Sequence, residues 1–360
     1  MKTLPAKDKF LFTGRIDFTD ENEPLFIYPG TMAETTFTGK KLSIYVKNEA
    51  MGAYHSVGVV LDGVQYKYDL PVDPAENHKE IKIDVADNLE EGEHTLTIFK
   101  RQAAAHYLWF CGIETDEGSS VTLPKKEYSL NIEVYGDSVS AGEYCEQIYH
   151  EGALDDPETI GKGTDDNSWF SYPMIMGRML NARVYDNSQG GIALFNKTGF
   201  FTGPDPEKLT GVETTYNKLS YVPYSSKGFT DWDFSTYTPD LVVMAIGQND
   251  PNPFPEKTED PEYIRKWKDK YKEIVCDLRE KYGKKLKVLM ILTVLMHDPH
   301  WDSYLDEIEQ ELETETGEKW AKHFTFSRCG KATPGHPRIT EQYEMAYERS
   351  VEIRDWFNLK

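Results

Sequence analysis

Four residues of the chain have the types and spacing that acyl transfer requires: Ser138, Gly190, Asn249 and His336. Ser138 lies in Gly136-Asp137-Ser138-Val139-Ser140-Ala141-Gly142-Glu143, directly after an apolar run. A serine hydroxyl becomes a nucleophile when a neighbouring base takes its proton. Gly335-His336-Pro337, near the C-terminus, offers the best-placed histidine for that task. The tetrahedral intermediate also needs hydrogen-bond donors aimed at its oxyanion. The Ser138 N–H, the Gly190 N–H and the Asn249 side-chain amide can supply them. The run Ser188-Gln189-Gly190-Gly191 leaves the register open, so Gly191 is the alternative donor. Asp137 and Asp250 flank the nucleophile and the amide, and with Trp301 they form the candidate substrate-binding set.

Taken singly, each feature has an ordinary explanation. Gly-Asp-Ser is common turn chemistry, and a glycine pair suits any strand-to-helix turn. Asn249-Asp250 can cap a helix ahead of Pro251-Asn252-Pro253. The order of the four and their placement at the ends of strands distinguish them from chance.

The elements that must position these residues are legible beyond about residue 123. Apolar runs at 130–135, 183–186, 241–246 and 286–294 read as strands, alternating with helices at 167–180, 261–282 and 337–357. Such alternation predicts a three-layer α/β/α domain with a mainly parallel sheet. In open parallel sheets, sites form beyond the carboxyl ends of the strands, so the turns at Ser138, Gly190 and Asn249 are expected to meet. Before residue 123 the pattern is all strand, with runs at 42–46, 56–61, 81–85 and 94–99 and a hairpin signal at Asp62-Gly63. This predicts a β-sandwich or jelly roll over 1–122 and the α/β domain over 123–360. Residues 195–233 show no clear periodicity and read as a long loop, functional or mobile.

The order GDS, Gly, GxND and late His-Pro, carried by Ser138, Gly190, Asn249 and His336, resembles the four blocks of the SGNH (GDSL) hydrolases. The GDSVSAGE form, the GQND block and the preceding β-domain resemble carbohydrate esterase family 2 in particular. The resemblance implies a jelly roll joined to an SGNH hydrolase domain, and a serine esterase that removes O-acetyl groups from plant-polysaccharide fragments of the xylan or mannan type, often at O6. It implies no metal and no cofactor. Many SGNH enzymes carry Asp three residues before the histidine, where this chain has Thr333. Threonine cannot supply the charge that orients an imidazolium. The expectation is therefore a Ser138–His336 dyad, with Nδ1 held by a backbone carbonyl near Thr333 or Pro334, or by a carboxylate from elsewhere.

The formal charge of −21 argues against nucleic acid as a partner. No apolar run is long enough to span a membrane, and the N-terminus lacks the apolar core of a secretory signal, so a cytoplasmic location is expected. Cys111, Cys145, Cys276 and Cys329 form no close pair and read as reduced, mostly core thiols. His297 and His300 bracket Asp298 after a strand, but no third metal ligand is evident. Sugar rings stack on aromatics, which makes Trp301 the first platform candidate, ahead of Trp169 and Trp232. The β-domain either binds carbohydrate or docks to shape the cleft. An SGNH lipase or thioesterase, and a non-catalytic carbohydrate-binding protein, are the rival readings; the oligomeric state, a homo-oligomer included, is left open.

Overall fold

Apart from one 3-10 helix, Pro74–Glu76, the described residues of the first 122 fall in strands, short turns or loops. The computed structural model describes residues 1–49, 54–201, 206–222, 225–331 and 333–359. Two antiparallel sheets, each six-stranded, occupy the N-terminal part. The hairpin of His55–Leu61 with Val64–Leu70 turns on Asp62 and Gly63, both with positive φ (50° and 82°). Both central residues at positive φ match the right-handed twist of the flanking strands. Phe10, Phe37, Ile44, Val57, Ile98 and Phe110 fill the space between the sheets. Two central strands lie outside the sequence reading, Met32–Thr38 and Tyr107–Thr115. Both are buried on two faces, so neither shows the alternation that marks a half-exposed strand.

From Leu130 the chain builds a five-stranded parallel sheet. Its spatial order is Ala182–Asp186, Leu130–Gly136, Leu241–Ala245, Lys287–Met290, Ala321–His323. In chain order this is 2-1-3-4-5, with the switch point between the first and third strands. Alternate residues of one strand feed opposite cores. Val243 packs with the helices Tyr172–Leu180 and Ile339–Phe357, while Val242 and Met244 pack with Pro261–Tyr282 and His300–Thr316. The fold is a β-sandwich followed by a three-layer α/β/α domain.

The helix Pro261–Tyr282 has the expected bounds, because its signals are local: Asp260 accepts from the Glu262 and Tyr263 N–H groups, Pro261 opens the first turn and Gly283 closes the last. The helix expected over 167–180 is instead a 3-10 turn, Ser168–Phe170, and a separate helix, Tyr172–Leu180. Pro173 disfavours helical backbone before it, so the helix restarts there. The helix His300–Thr316 was not anticipated.

The two parts share their cores. Leu25, Ile27, Tyr28 and Tyr107 join one face of the parallel domain; Met32, Val60 and Phe99 join the other. Between them lies a buried ion pair. Arg15 Nε and Nη2 donate to Glu133 Oε1 at 3.0 and 2.8 Å, and both side chains are fully buried. Arg15 Nη1 donates to the carbonyls of Tyr216 and Lys218, while Tyr282 and Asn187 donate to Glu133. Glu133 sits on the strand that delivers Ser138. Removing one partner strands a buried charge, which costs about 3–5 kcal/mol. Arg15→Ala is expected to lower unfolding free energy by about that amount in urea titration.

Candidate active site

The strand Leu130–Gly136 ends in a turn where Asp137 caps a four-residue helix, its Oδ1 accepting the Val139 N–H at 3.0 Å. Ser138 opens that helix. The loop ahead of Ile339–Phe357 brings His336 to it, and the Ser138 hydroxyl donates to His336 Nε2 at 2.8 Å. On the other side of the ring, His336 Nδ1 donates to Asp155 Oδ2 at 2.7 Å. A carboxylate can only accept, so it fixes the tautomer with Nε2 free to receive the serine proton. The group orienting His336 is thus a carboxylate from elsewhere, and the arrangement is a triad rather than the anticipated dyad.

Asp155 was not singled out from the sequence. It lies in a polar loop with no periodicity, 17 residues beyond the nucleophile and far from the usual position before the histidine, which Thr333 occupies in the core. The loop is tightly held. Asp155 Oδ1 accepts the His336 N–H at 2.9 Å and Arg338 Nη1 at 2.8 Å. Burial opposes ionisation of this carboxyl, but the hydrogen bonds and charges of His336 and Arg338 outweigh it and hold Asp155 well below the usual range. Gly335 permits the approach: a Cβ there would stand 2.6 Å from the Ala153 carbonyl oxygen. The β-sandwich pins the same loop. Arg101 donates to Glu146 and to the Asp166 carbonyl, Gln65 accepts from Asn167, and Lys67 donates to the Thr164 carbonyl.

The oxyanion donors are partly preset. Neither the Ser138 N–H nor the Gly190 N–H has an intramolecular acceptor among the described residues. Asn249 Nδ2 donates to the Ile192 carbonyl at 3.0 Å and more weakly to Asp137 Oδ2 at 3.3 Å. The longer bond is the one an oxyanion would compete for. Gly191 takes a left-handed φ of 72° and its carbonyl accepts the Phe200 and Phe201 N–H groups.

A second residue missed in the sequence is Glu143, the last of the GDSVSAGE run. Its half-buried carboxyl packs over Gly190 so closely that a Cβ there would be 2.0 Å from Oε1. Desolvation, with the charges of Asp166, Asp137 and Asp155, pushes Glu143 well above its ordinary value. The shift favours the neutral form of Glu143, while the ionised Asp155 beside His336 keeps the site acidic and disfavours anionic substrates.

The expected substrate-binding set does not reach solvent. Trp301 is fully buried, its ring 4.9 Å from that of Trp267, because it opens an amphipathic helix rather than a loop at a strand end. Asp137 is buried and bridges the nucleophile turn to Gln248 and Asn249. Asp250 is buried and accepts from Trp267 Nε1 and the Leu194 N–H. Burial pushes each of these two carboxyls up to about 6. All three lie in the core and position the site rather than line it. Trp169 packs on Phe99 and Arg178, and Trp232 lies over Arg15, so neither forms an open platform.

Comparison with known proteins gives these arrangements relatives. Residues 12–124 match the family described as Carbohydrate esterase 2 N-terminal. The chain is 29% identical over 276 residues to the cellulase/esterase CelE of Acetivibrio thermocellus, covering 76% of this chain and 30% of that protein. It thus spans less than a third of that relative's length. It is 25% identical over 390 residues to an acetylxylan esterase / glucomannan deacetylase of Cellvibrio japonicus, covering 98% of this chain and 92% of that one. Among solved structures, the acetyl xylan esterase Est2A of Butyrivibrio proteoclasticus superposes with a TM-score of 0.81 at 17% identity, covering 99% of this chain and 98% of the other. The chain is similar to the family 2 carbohydrate esterases, as the GDSVSAGE form, the GQND block and the preceding β-domain implied.

Two measurements test the geometry. Asp155→Asn keeps the shape but leaves the wrong tautomer, and kcat is expected to fall by about 10²–10⁴-fold with KM little changed; Thr333→Ala should leave kcat within about threefold. In the second, Asp186 is buried, and among the described residues it accepts only from Ser188 and has its other oxygen unpartnered; burial pushes it up to about 8. The folded state therefore holds a proton that the unfolded chain has released, and stability from this group is lost as pH rises from about 4 through about 8. Asp186→Asn is expected to flatten that slope in denaturant titrations across the range.

Proposed function

We propose that the protein is a serine carbohydrate esterase that removes O-acetyl groups from acetylated oligosaccharides of the xylan or mannan type, with the primary O6 ester among its targets. The observation that carries this reading is the continuous relay from Ser138 Oγ through His336 to Asp155, at 2.8 and 2.7 Å, beside two unengaged backbone donors.

His336 Nε2 accepts the Ser138 proton as Oγ attacks the acetyl carbonyl carbon. The oxyanion forms against the Ser138 and Gly190 amides, with Asn249 as third donor. Asp155 stabilises the imidazolium without itself taking the proton. His336 then protonates the departing sugar oxygen, which leaves acetyl on Ser138. Water enters, gives its proton to His336 and attacks the acetyl carbon, and Ser138 leaves protonated with acetate released. Every step uses groups of this chain and water.

The acidic surroundings of the site favour a neutral ester over an anionic one. Exposed aromatic rings stand on the loops that carry the site. Phe200 borders the Gly190–Gly191 turn, and Tyr149 lies in the Asp155 loop, 59% and 95% exposed. These take the stacking role first assigned to Trp301. One relative is named an acetylxylan esterase / glucomannan deacetylase and another a cellulase/esterase, which supports the same substrate class.

The test compares p-nitrophenyl acetate with the octanoate, then maps products by NMR on acetylated xylan and mannan oligosaccharides. Acetyl ester hydrolysis should dominate, and Ser138→Ala should lower kcat by on the order of 10⁴–10⁶-fold. Faster turnover of octanoate would favour a lipase or thioesterase. Activity surviving Ser138→Ala, or none in the unaltered protein, would sink the esterase reading.

A further inference from the structure

Away from Ser138, four side chains of metal-ligating type converge from four segments. His297 follows the strand Lys287–Met290 by a short extension, and Asp302 lies in the first turn of His300–Thr316. His323 ends the strand Ala321–His323, and Cys329 stands in the loop that leads to His336. Ligand atoms of His297, Asp302 and Cys329 all lie within 4.8 Å of one another. His297 Nε2 is 3.0 Å from Asp302 Oδ2, and Cys329 Sγ is 3.3 Å from Asp302 Oδ1 and 3.8 Å from His297 Nε2. His323 Nε2 is 3.4 Å from Asp302 Oδ1.

Both imidazoles are oriented from behind. His297 Nδ1 donates to the Leu295 carbonyl at 2.7 Å, and His323 Nδ1 donates to Asp306 Oδ1 at 2.8 Å. Each Nε2 is thereby turned toward the shared carboxylate, the arrangement that outer partners impose on metal-bound histidine. His323 is fully buried, and its Nε2 meets Asp302 Oδ1 as an ion-pair contact without a well-aligned hydrogen bond. A buried ring nitrogen held so loosely leaves room for a better partner beside that carboxylate.

The spacing fits three corners of a tetrahedron. Bonds of about 2.0 Å to nitrogen or oxygen and about 2.3 Å to sulfur give edges of about 3.3–3.6 Å. The three separations among His297, Asp302 and Cys329, 3.0 to 3.8 Å, bracket those edges. We propose that His297, Asp302 and Cys329 hold a zinc-type divalent cation, with His323 bracing the Asp302 carboxylate. One imidazole, one carboxylate and one thiolate suit a borderline-soft ion better than magnesium or calcium. Binding releases the Cys329 thiol proton to solvent as the sulfur–metal bond forms. The other cluster of ligating types, Glu23, Glu80 and Cys111, differs in kind, since Lys47 and Lys2 already neutralise its two carboxylates.

A cation here would tie the loop of the general base to the sheet. That loop already rests on the strand extension through Gly330 N–H to the Thr293 carbonyl and Met296 N–H to the Thr333 carbonyl. His300, which the sequence pairs with His297 around Asp298, instead points outward and bonds Asp298 on the surface. The third ligand, Cys329, comes from a segment distant in sequence.

The test uses the full chain stripped with chelator and titrated with cobalt. Expected are the visible bands of tetrahedral cobalt with a near-ultraviolet thiolate charge-transfer band, both displaced by zinc. Cys329→Ser should abolish the charge-transfer band, and Asp302→Asn should weaken binding by at least about tenfold. Zinc should also raise the melting temperature of the unaltered protein by mass action. Should the variants fail to fold, labelling of the unaltered protein with iodoacetamide decides: zinc must protect Cys329 and leave the exposed Cys276 reactive. No charge-transfer band, a band that survives Cys329→Ser, or equal labelling of Cys329 with and without zinc overturns the proposal.

Discussion

The structure is organised around one contact, the hydrogen bond between His336 Nδ1 and Asp155. A serine–histidine pair without an oriented ring has two tautomers and a free rotor; the carboxylate removes both freedoms. Holding that carboxylate in place occupies much of the chain. Arg338, the His336 amide and the glycine before it all serve Asp155. The acid is ionised in spite of its burial because three donors converge on it, and that convergence is the constraint the surrounding loops satisfy.

The nucleophile is delivered differently. Ser138 follows a rigid central strand at the point where strand order reverses, and the glycine and amide turns arrive there from strands two and three. Backbone topology sets those groups, while side chains set the acid. The catalytic centre joins a precise part, inherited from the sheet, to an assembled part, built by polar contacts between loops.

That division explains how far the sequence could be read. Ser138, Gly190, Asn249 and His336 were visible because each sits beside a strand or helix with strong local signals, and the helix Pro261–Tyr282 was visible for the same reason. Asp155 was not, since its role depends on a loop with no period and on partners nearly two hundred residues away. The helix His300–Thr316 did leave a trace: Trp301, Leu305, Ile308 and Leu312 recur at helical spacing and are buried. Its dense acidic face and the preceding His-Asp-Pro-His turn masked it, and Trp301 was misplaced as a consequence. Asp137 and Asp250 looked like binding groups because they adjoin the site. Their burial shows that adjacency in sequence placed them beneath it.

The grip of the β-sandwich on the Asp155 loop bears on how such a chain can change over generations. Arg101, Gln65 and Lys67 reach across to the segment between Glu146 and Asn167, so the catalytic acid is lodged on a support belonging to the other half of the molecule. The two halves look like interchangeable modules, yet they cannot be swapped or cut apart without loosening the chemistry. Recombination at their boundary would have to carry both sides of this seam together, and drift on either side is answerable to the other.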